Sequence, residues 1–582
     1  MTVVILVGSE TGNALDYGNR LVDDLERLGV PSEIFLMDEF PLERLLEEDL
    51  TTLLFICSTT GDGEEPKNMK KFMKFLLRAD LPCEIFNGID FGVFGLGDSS
   101  YDKFNFVGKR VYRRMQQLGG RDFVGFRGEG DERNVKGIEG GWTSWWEALK
   151  EKIKTKSTGK IYSESEPIPP RHKLILDRRM IVNCDLIPFK PNSIEIVSIS
   201  RVTPSDHFQD TRLLKFKINE PLTNFKPGDI MNLKPSNDPK QVQELIDLLG
   251  WDEEMVIYGI EGDLIVNGSI EFPVDLKSFI TDWIDLSRIP SRNLFKTLAS
   301  LCSHSSSELS QLHYEKLLEL SVEEGEYLEY VWRPKRTILE ILKDFQPTLR
   351  IGIERILQVF PVIKPRQFSI ANYDQNSGII ELLIALVQEE MPLGRGIREG
   401  LCSKWIKSIE PSHSIGHVSI SHGSLNYSIL TSPKISKIFL FATGTGIAPI
   451  RSIIKALDIS KTEIYLYFGF RSEKTDFYFE DEWKELELKH PDNFKIFAKG
   501  SRDNDKGGKI YINHLIKANP EPLISLASPD EICCIVAGNS RLNKLIQDTL
   551  IEIWDDSAEV NRGKKWMNQL KQTQQYQCET WS

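Results

Sequence analysis

The sequence predicts a multidomain α/β protein. A doubly wound parallel sheet is expected at the amino end, an antiparallel β-barrel with a helical insertion in the middle, and a second doubly wound domain at the carboxyl end. Three observations carry that expectation. The chain has 582 residues, and a single hydrophobic core stops growing near ~250 to 300 residues, so several domains are required. Apolar strand-like runs alternate with helical periodicity at both ends, whereas the middle reads as short strands and turns. At both ends the strand-like runs are followed by short loops of glycine and hydroxyl residues, which parallel sheets carry at their carboxyl edge.

Residues 1–150 contain VVILVG, TLLFICST and DFGVFGLG, separated by stretches such as ALDYGNRLVDDLERLG whose apolar residues recur every three or four positions. Residues 151–174 are charged, rich in serine and proline and without periodicity, and read as an interdomain linker. Residues 175–434 carry the short runs NSIEIVSISRVT, TRLLKFKI, FKPGDIMNLKP and GIIELLIALVQ, which predict the barrel. Within them, about 236–360 shows helical periodicity in QVQELIDLLG, RNLFKTLASL, SQLHYEKLLEL and RTILEILKDF, which predicts an all-helical insertion. Residues 435–582 return to alternation with KIFLFATGTGIAPIRSIIKAL, EIYLYFGFRS and EICCIVAGNSRLNKLIQDTL.

Composition narrows the function. Hydrophobic residues make up 40% and charged residues 27% of the chain, the balance of a folded globular protein. A net charge of -13 disfavours nonspecific nucleic-acid binding, which requires cations against phosphate, and favours a basic protein partner. The eight cysteines are scattered without a C-x-x-C pair, so neither a metal site nor a disulfide framework is expected. The apolar run after Met1 is too short for a signal peptide, and no later run approaches the ~20 apolar residues of a membrane span. The expected compartment is the cytoplasm, with no membrane anchor.

Three constellations carry chemistry. The first strand runs into Ser9, Glu10, Thr11, Gly12 and Asn13, a polar loop opening a helix, where backbone N–H groups hold a phosphate without Lys or Arg. Alone this would equally be a turn and an N-cap. Two further loops after strands join it at one sheet edge: CSTTGDGEEPKN, with Thr59, Thr60, Gly61, Asp62 and Gly63, and GLGDSSYDKFN, with Leu96, Gly97, Asp98, Tyr101, Phe104 and Asn105. In the barrel, PRQFSIAN supplies Arg366 to pair with a pyrophosphate, Phe368 as a ring face and Ser369 as a small hydroxyl, with REGLCSKWI some thirty residues later. The third begins at Thr443, Gly444, Thr445 and Gly446, a turn that lets a dinucleotide approach a helix start. Arg471, Ser501, Arg502, Lys509 and Tyr511 follow, a set of cations, hydroxyl and aromatic suited to an adenosine 2′-phosphate, hence to NADPH over NADH.

These motifs resemble known families. The triple loop resembles the flavodoxin-like FMN domain. The resemblance implies that the first loop holds the FMN phosphate and the other two flank the isoalloxazine, with Tyr101 stacked on it and Asp131 in the same set. Arg366 to Ser369, Gln367 included, and Gly400, Leu401, Cys402 and Ser403 match the R-x-[YF]-S and G-x-x-[ST] signatures of the ferredoxin-NADP reductases, which implies FAD at these residues and a Rossmann-like NADPH domain after them. As in those reductases, the terminal Trp581 is implied to cover the FAD ring and, with Ser369 and Glu579, to form the hydride-transfer site. The whole chain resembles the diflavin reductases, relatives of cytochrome P450 reductase. That implies transfer from NADPH to FAD, then FMN, then a one-electron acceptor, with the FMN domain swinging on its linker. Thr60, Phe368 and Ala537 depart from the commoner aromatic, tyrosine and cysteine of these relatives.

Within the family the chain looks most like the branch serving cytosolic iron–sulfur protein assembly, which implies an anamorsin-type iron–sulfur protein as acceptor. A soluble reductase for cytochrome P450 or sulfite reductase is the alternative, and a flavin-carrying scaffold is a third reading from a different class.

Overall fold

The computed structural model describes residues 2–581 except 11, 48–49, 61–62, 100, 102, 136, 164, 179–193, 219–223, 263–269, 303–306, 375–376, 392–395, 412–413, 416–417, 504–508, 527, 540 and 557–560. The chain divides into two compact units, Met1–Arg171 with Ile289–Val359, and His172–Arg288 with Phe360–Ser582.

The first unit contains a six-stranded parallel sheet built from β1 (Thr2–Gly8), β2 (Ser32–Leu36), β3 (Leu50–Ser58), β4 (Asp90–Gly97), β5 (Arg121–Asp122) and β6 (Gly128–Asp131). Its order is β2-β1-β3-β4-β5, with β6 also on β4. β1, β3 and β4 are apolar along nearly their whole length because both faces are covered, as parallel sheets require. On one face α1 (Asn13–Arg27) and α4 (Gly137–Ile153) bury Leu21, Leu25, Trp142 and Trp145 against Val3, Ile5 and Val7. On the other, α2 (Lys70–Leu76) and α3 (Phe106–Gln117) bury Phe72, Met73, Val107 and Val111 against Val4, Leu6 and Phe55. The order reverses between β1 and β3, so the loops leaving those strands border the crevice where ligands of such sheets bind.

The same unit includes helices Arg292–Ser300, Glu308–Val322 and Ile338–Asp344. Arg292 and Lys296 approach Glu139 and Asp24 at 4.0 and 3.6 Å. The segment after α4 lies along the end of α1, where Gly159 N–H donates to Gly29 O at 2.8 Å and Tyr162 N–H to Arg27 O at 2.9 Å.

In the second unit, antiparallel sheets form the barrel. Strand Ile230–Leu233 lies between Arg366–Ser369 and Val418–Ser421, and Thr211–Lys217 lies between Ile379–Ala385 and Ile194–Arg201. Their core is Ile196, Phe216, Met231, Ile370 and Leu382. The expectation of an all-helical insertion is corrected here. Strand Met255–Glu261, the β-prone run MVIYGIE, pairs antiparallel with Lys173–Arg178 and Val274–Asp275. Of the insertion, the part from Ile289 to Val359 packs with the first unit.

The second doubly wound domain has five parallel strands. In chain order they are Lys437–Thr443, Glu463–Phe470, Phe494–Gly500, Ile532–Asn539 and Tyr576–Trp581, and across the sheet they lie 3-2-1-4-5. That order puts the reversal between Lys437–Thr443 and Ile532–Asn539, directly beside the turn at Gly444.

Candidate functional site

At the first sheet edge, β1 passes through Ser9, Glu10 and Gly12 into α1, which starts at Asn13. Gly12 caps the helix at φ 94°, a conformation in which a Cβ is strained. Its N–H donates to Ser9 Oγ at 3.0 Å, while Ser9 N–H donates to Asn68 Oδ1 at 2.9 Å and Lys67 N–H to Glu10 Oε2 at 2.8 Å. The first loop is thereby tied to the second, and the α1 terminus presents first-turn N–H groups of the kind that can donate to a phosphate. Thr11, Gly61 and Asp62 lie outside the described residues.

Thr60 and Glu64 exchange backbone hydrogen bonds of 3.0 and 2.8 Å, and Thr60 Oγ1 donates to Glu64 O at 3.2 Å. The hydroxyl that replaces the commoner aromatic closes the second loop, with Gly63 completing the turn onto Thr60 O at 3.1 Å. Thr59 joins the second loop to the third: its N–H donates to Leu96 O at 3.0 Å and its Oγ1 accepts from Val107 N–H at 3.3 Å. At the end of β6, Asp131 accepts the N–H groups of Ser99 in the third loop and of Arg133, both at 3.0 Å. Burial alone would raise its carboxyl, but these donors hold it below the ordinary range, so it stays an anion bracing Gly97 to Ser99. Arg133 also pairs with Asp98 at 3.0 Å. Asn105 is buried at the start of α3. Tyr101 is 45% exposed, a ring face presented at the loop, and Phe104 N–H donates to its carbonyl at 3.1 Å. The helix start, hydroxyls and exposed ring fit a flavin mononucleotide.

In the barrel, Arg366, Gln367, Phe368 and Ser369 lie opposite Leu233, Asn232, Met231 and Ile230. Phe368 packs at the edge of the barrel core, and Gln367 Nε2 donates to Asn232 Oδ1 at 3.3 Å. Arg366 Nη1 donates to Lys364 O, which fixes the guanidinium. Gly400 caps helix Leu401–Ser408, and Val387 N–H donates to Ser403 Oγ at 2.8 Å, so Ser403 shapes the turn. Burial pushes the Cys402 thiol up to about 12 against the opposing charge of Arg366, which places the cation and the helix start in one field. A cation beside a helix N-terminus fits a pyrophosphate.

Ser369 Oγ donates to Glu579 Oε1. The terminal run QYQCETWS, far from any strand signature in sequence, forms the edge strand Tyr576–Trp581, with Glu579, Thr580 and Trp581 in register with Ala537, Gly538 and Asn539. The sheet thus fixes Glu579 and leaves Trp581 39% exposed at its rim.

At the third site, Thr443 ends its strand and Gly444 to Gly446 turn into helix Ile447–Ala456, with Thr445 at the tip. A Cβ at Gly446 would sit 2.2 Å from Ala537 O, so only glycine lets this turn approach the neighbouring strand. Ser501 N–H donates to Phe470 O at 2.8 Å and Arg502 N–H to Arg471 O at 2.9 Å, which brings both arginines to adjacent strand ends. Lys509 is exposed, and Tyr511, 51% exposed, caps helix Ile512–Ala518.

Comparison with known proteins agrees with this geometry. Residues 5–145 match the flavodoxin profile, 188–405 the FAD binding domain and 440–548 the oxidoreductase NAD-binding domain. The chain is 34% identical to NADPH-dependent diflavin oxidoreductase 1 of Schizosaccharomyces pombe, covering 100% of this chain and 99% of that one. It is 36% identical to the protein of that name from Debaryomyces hansenii over 95% and 94%, and 31% to that of Danio rerio over 100% and 99%. The chain belongs to the NADPH-dependent diflavin oxidoreductases. Membership makes it an oxidoreductase and assigns FMN, FAD and NADPH to the three domains in chain order. Among its described residues no helix is long and apolar enough to cross a membrane.

Sequence reasoning missed three residues that make contacts beside these candidate sites of the diflavin oxidoreductase. Asn68 holds Ser9 of the first loop from 59 positions away. Arg451, buried in an amphipathic helix, bonds to Glu381 and Ala371 of the barrel domain. Phe208 lies in a turn-rich segment with no strand or helix signature. None carries a local pattern; each acts through a distant partner.

Proposed function

We propose that the protein takes hydride from NADPH at FAD and passes single electrons through FMN to an iron–sulfur protein of the anamorsin type, in the cytoplasm. The observation that carries this reading is the union in one chain of three ligand-fitting strand-end sites, each beside a reversal of strand order or a helix start. Nicotinamide yields electrons in pairs and iron–sulfur clusters accept them singly, so two flavins in series convert one currency into the other. Of the chain's own groups, the α1 terminus and Ser9 hold the FMN phosphate, Tyr101 covers the ring, and Asp131 sets the third loop. Arg366 and the Gly400 to Ser403 turn hold the FAD pyrophosphate, and Ser369 with Glu579 orders the proton-bearing groups at the reacting face. Arg471, Ser501, Arg502, Lys509 and Tyr511 receive the adenosine end of NADPH, and Trp581 covers the place where nicotinamide enters.

The acceptor's docking face is read from charge. Glu65 and Asp98 are paired with Arg110 and Arg133, while Glu64 stays exposed, and with a net charge of -13 this favours a basic docking face on the partner. The deciding experiment follows NADPH-driven reduction of a purified anamorsin-type iron–sulfur protein by loss of its cluster absorbance, with a cytochrome P450 and sulfite reductase as parallel acceptors. Preference for the iron–sulfur protein is expected. Faster reduction of either alternative would move the protein to that branch, and failure to reduce ferricyanide would make it a scaffold.

Nicotinamide choice gives a second test. Arg502→Ala should raise the KM for NADPH by roughly tenfold, the value of one charge-assisted hydrogen bond to phosphate, with little effect on NADH. Trp581→Ala should improve NADH use, because covering the nicotinamide pocket penalises a dinucleotide not held by its 2′-phosphate. An unchanged NADPH to NADH ratio in both variants would reject these roles.

A further inference from the structure

We propose that Phe208, in the loop between the first two barrel strands, is a positioning residue for the dinucleotide site that holds Arg471 in place to receive phosphate. The proposal rests on the reading of Arg471 as a dinucleotide ligand. The Phe208 ring is 61% exposed, and the Arg471 guanidinium lies 3.8 Å from its centroid. That is within the range of a cation–π contact.

Arg471 needs such a brace. Its backbone carbonyl accepts Arg502 N–H at 2.9 Å, so two like charges share one corner. Burial and then the Arg502 charge depress the Arg471 guanidinium below its usual value. The Asp476 carboxylate opposes this in part, and it accepts the N–H groups of Arg471 and Ser472 at 2.9 and 2.7 Å and Thr475 Oγ1 at 3.0 Å rather than the Arg471 side chain. Left to itself, the guanidinium would relieve the repulsion by swinging away from Arg502. The ring face offers attraction without neutralising the charge, so both cations remain available to an anion.

The loop bearing Phe208 is built to hold still. Thr203 Oγ1 donates to Gln209 O at 2.8 Å and accepts Thr211 N–H at 3.1 Å, and Arg201 Nη2 donates to His207 O at 3.1 Å. Gln209 Nε2 donates to Leu386 O at 2.6 Å. Tyr478, seven residues after Arg471, hydrogen-bonds Thr211 Oγ1 at 3.0 Å in a buried contact, which locks the loop to the segment carrying the arginine. Between them lies a cavity of about 280 Å³ bordered by Arg201, Thr203, Lys474 and Thr475.

The test is calorimetric titration of the flavin-loaded full chain with 2′,5′-ADP, on wild type, Phe208→Leu, Phe208→Tyr, Arg471→Ala and the double variant Phe208→Leu/Arg471→Ala. Phe208→Leu should weaken binding about three- to tenfold, Phe208→Tyr should restore it, and the double variant should bind like Arg471→Ala alone. In turnover the loss should fall on the KM for NADPH rather than on kcat. Wild-type affinity in Phe208→Leu with a clear loss in Arg471→Ala would overturn the role of Phe208 while leaving that of Arg471 standing. Additive losses in the double variant would also overturn it, and wild-type affinity in Arg471→Ala would overturn the underlying reading and the proposal together.

Discussion

Replacing Glu579 by alanine is expected to slow reduction of the bound FAD by NADPH by about a hundredfold, with FAD content and NADP⁺ affinity retained. Ser369 comes from the barrel and Glu579 from the last strand, the hydroxyl donates to the carboxylate, and the proposed function places both at the hydride-transfer site. Without that acceptor the hydroxyl loses its orientation and the site loses its only described carboxylate in contact with Ser369. Positioned acid–base groups contribute typically ~10²- to 10⁴-fold. Glu579→Gln keeps an oxygen to accept from Ser369 but no charge and should fall between wild type and alanine. Stopped-flow reduction of the flavin measures this directly, and wild-type rates in both variants would remove Glu579 from the chemistry.

Arg451→Met should destabilise the second unit by up to about 3 kcal/mol, because Glu381 loses its buried partner and keeps only the more exposed Lys215. Arg451 is 7% exposed; its Nη1 bonds to Glu381 at 2.5 Å and Ala371 O at 2.9 Å, its Nε bonds to Glu482 at 2.9 Å, and it lies over the Phe479 ring. Lys215 meets the other oxygen of Glu381 at 2.8 Å. Burial raises the Glu381 carboxyl, but the bonds from Lys215 and Arg451 outweigh it, and the group titrates below its ordinary 4.5. A depressed carboxylate contributes its stability in full above that ordinary value and loses it as pH falls through the folded one. The penalty of Arg451→Met should therefore be greatest at neutral pH and shrink in acid. Adding Glu381→Gln should recover part of it. Thermal unfolding followed by FAD release across pH measures both, and a pH-independent loss would reject the electrostatic account.

Much of the architecture was legible in the sequence because parallel sheets leave a local signature. VVILV and IFLFA are apolar throughout, since both faces of their sheets are covered, and the glycine and hydroxyl loops after them are dictated by the turn into a helix. The insertion was less legible. MVIYGIE is a strand because Lys173–Arg178 offers it an edge, and periodicity does not report a distant partner. Thr60 shows the same limit: read as a missing aromatic, it is a hydroxyl committed to Glu64 O.

By itself the sequence determined the domain order, the strand-end loops and the residue types fit for phosphate, flavin and dinucleotide, because these depend on neighbours within a few positions. Tertiary structure decided which of them meet. Ser369 and Glu579 are 210 residues apart and share a hydrogen bond, Phe208 finds Arg471 across the unit, and Arg451 bonds to a carboxylate of another domain. Such contacts are set by how sheets stack and strands register, quantities to which every residue of the core contributes and that no single stretch of chain encodes.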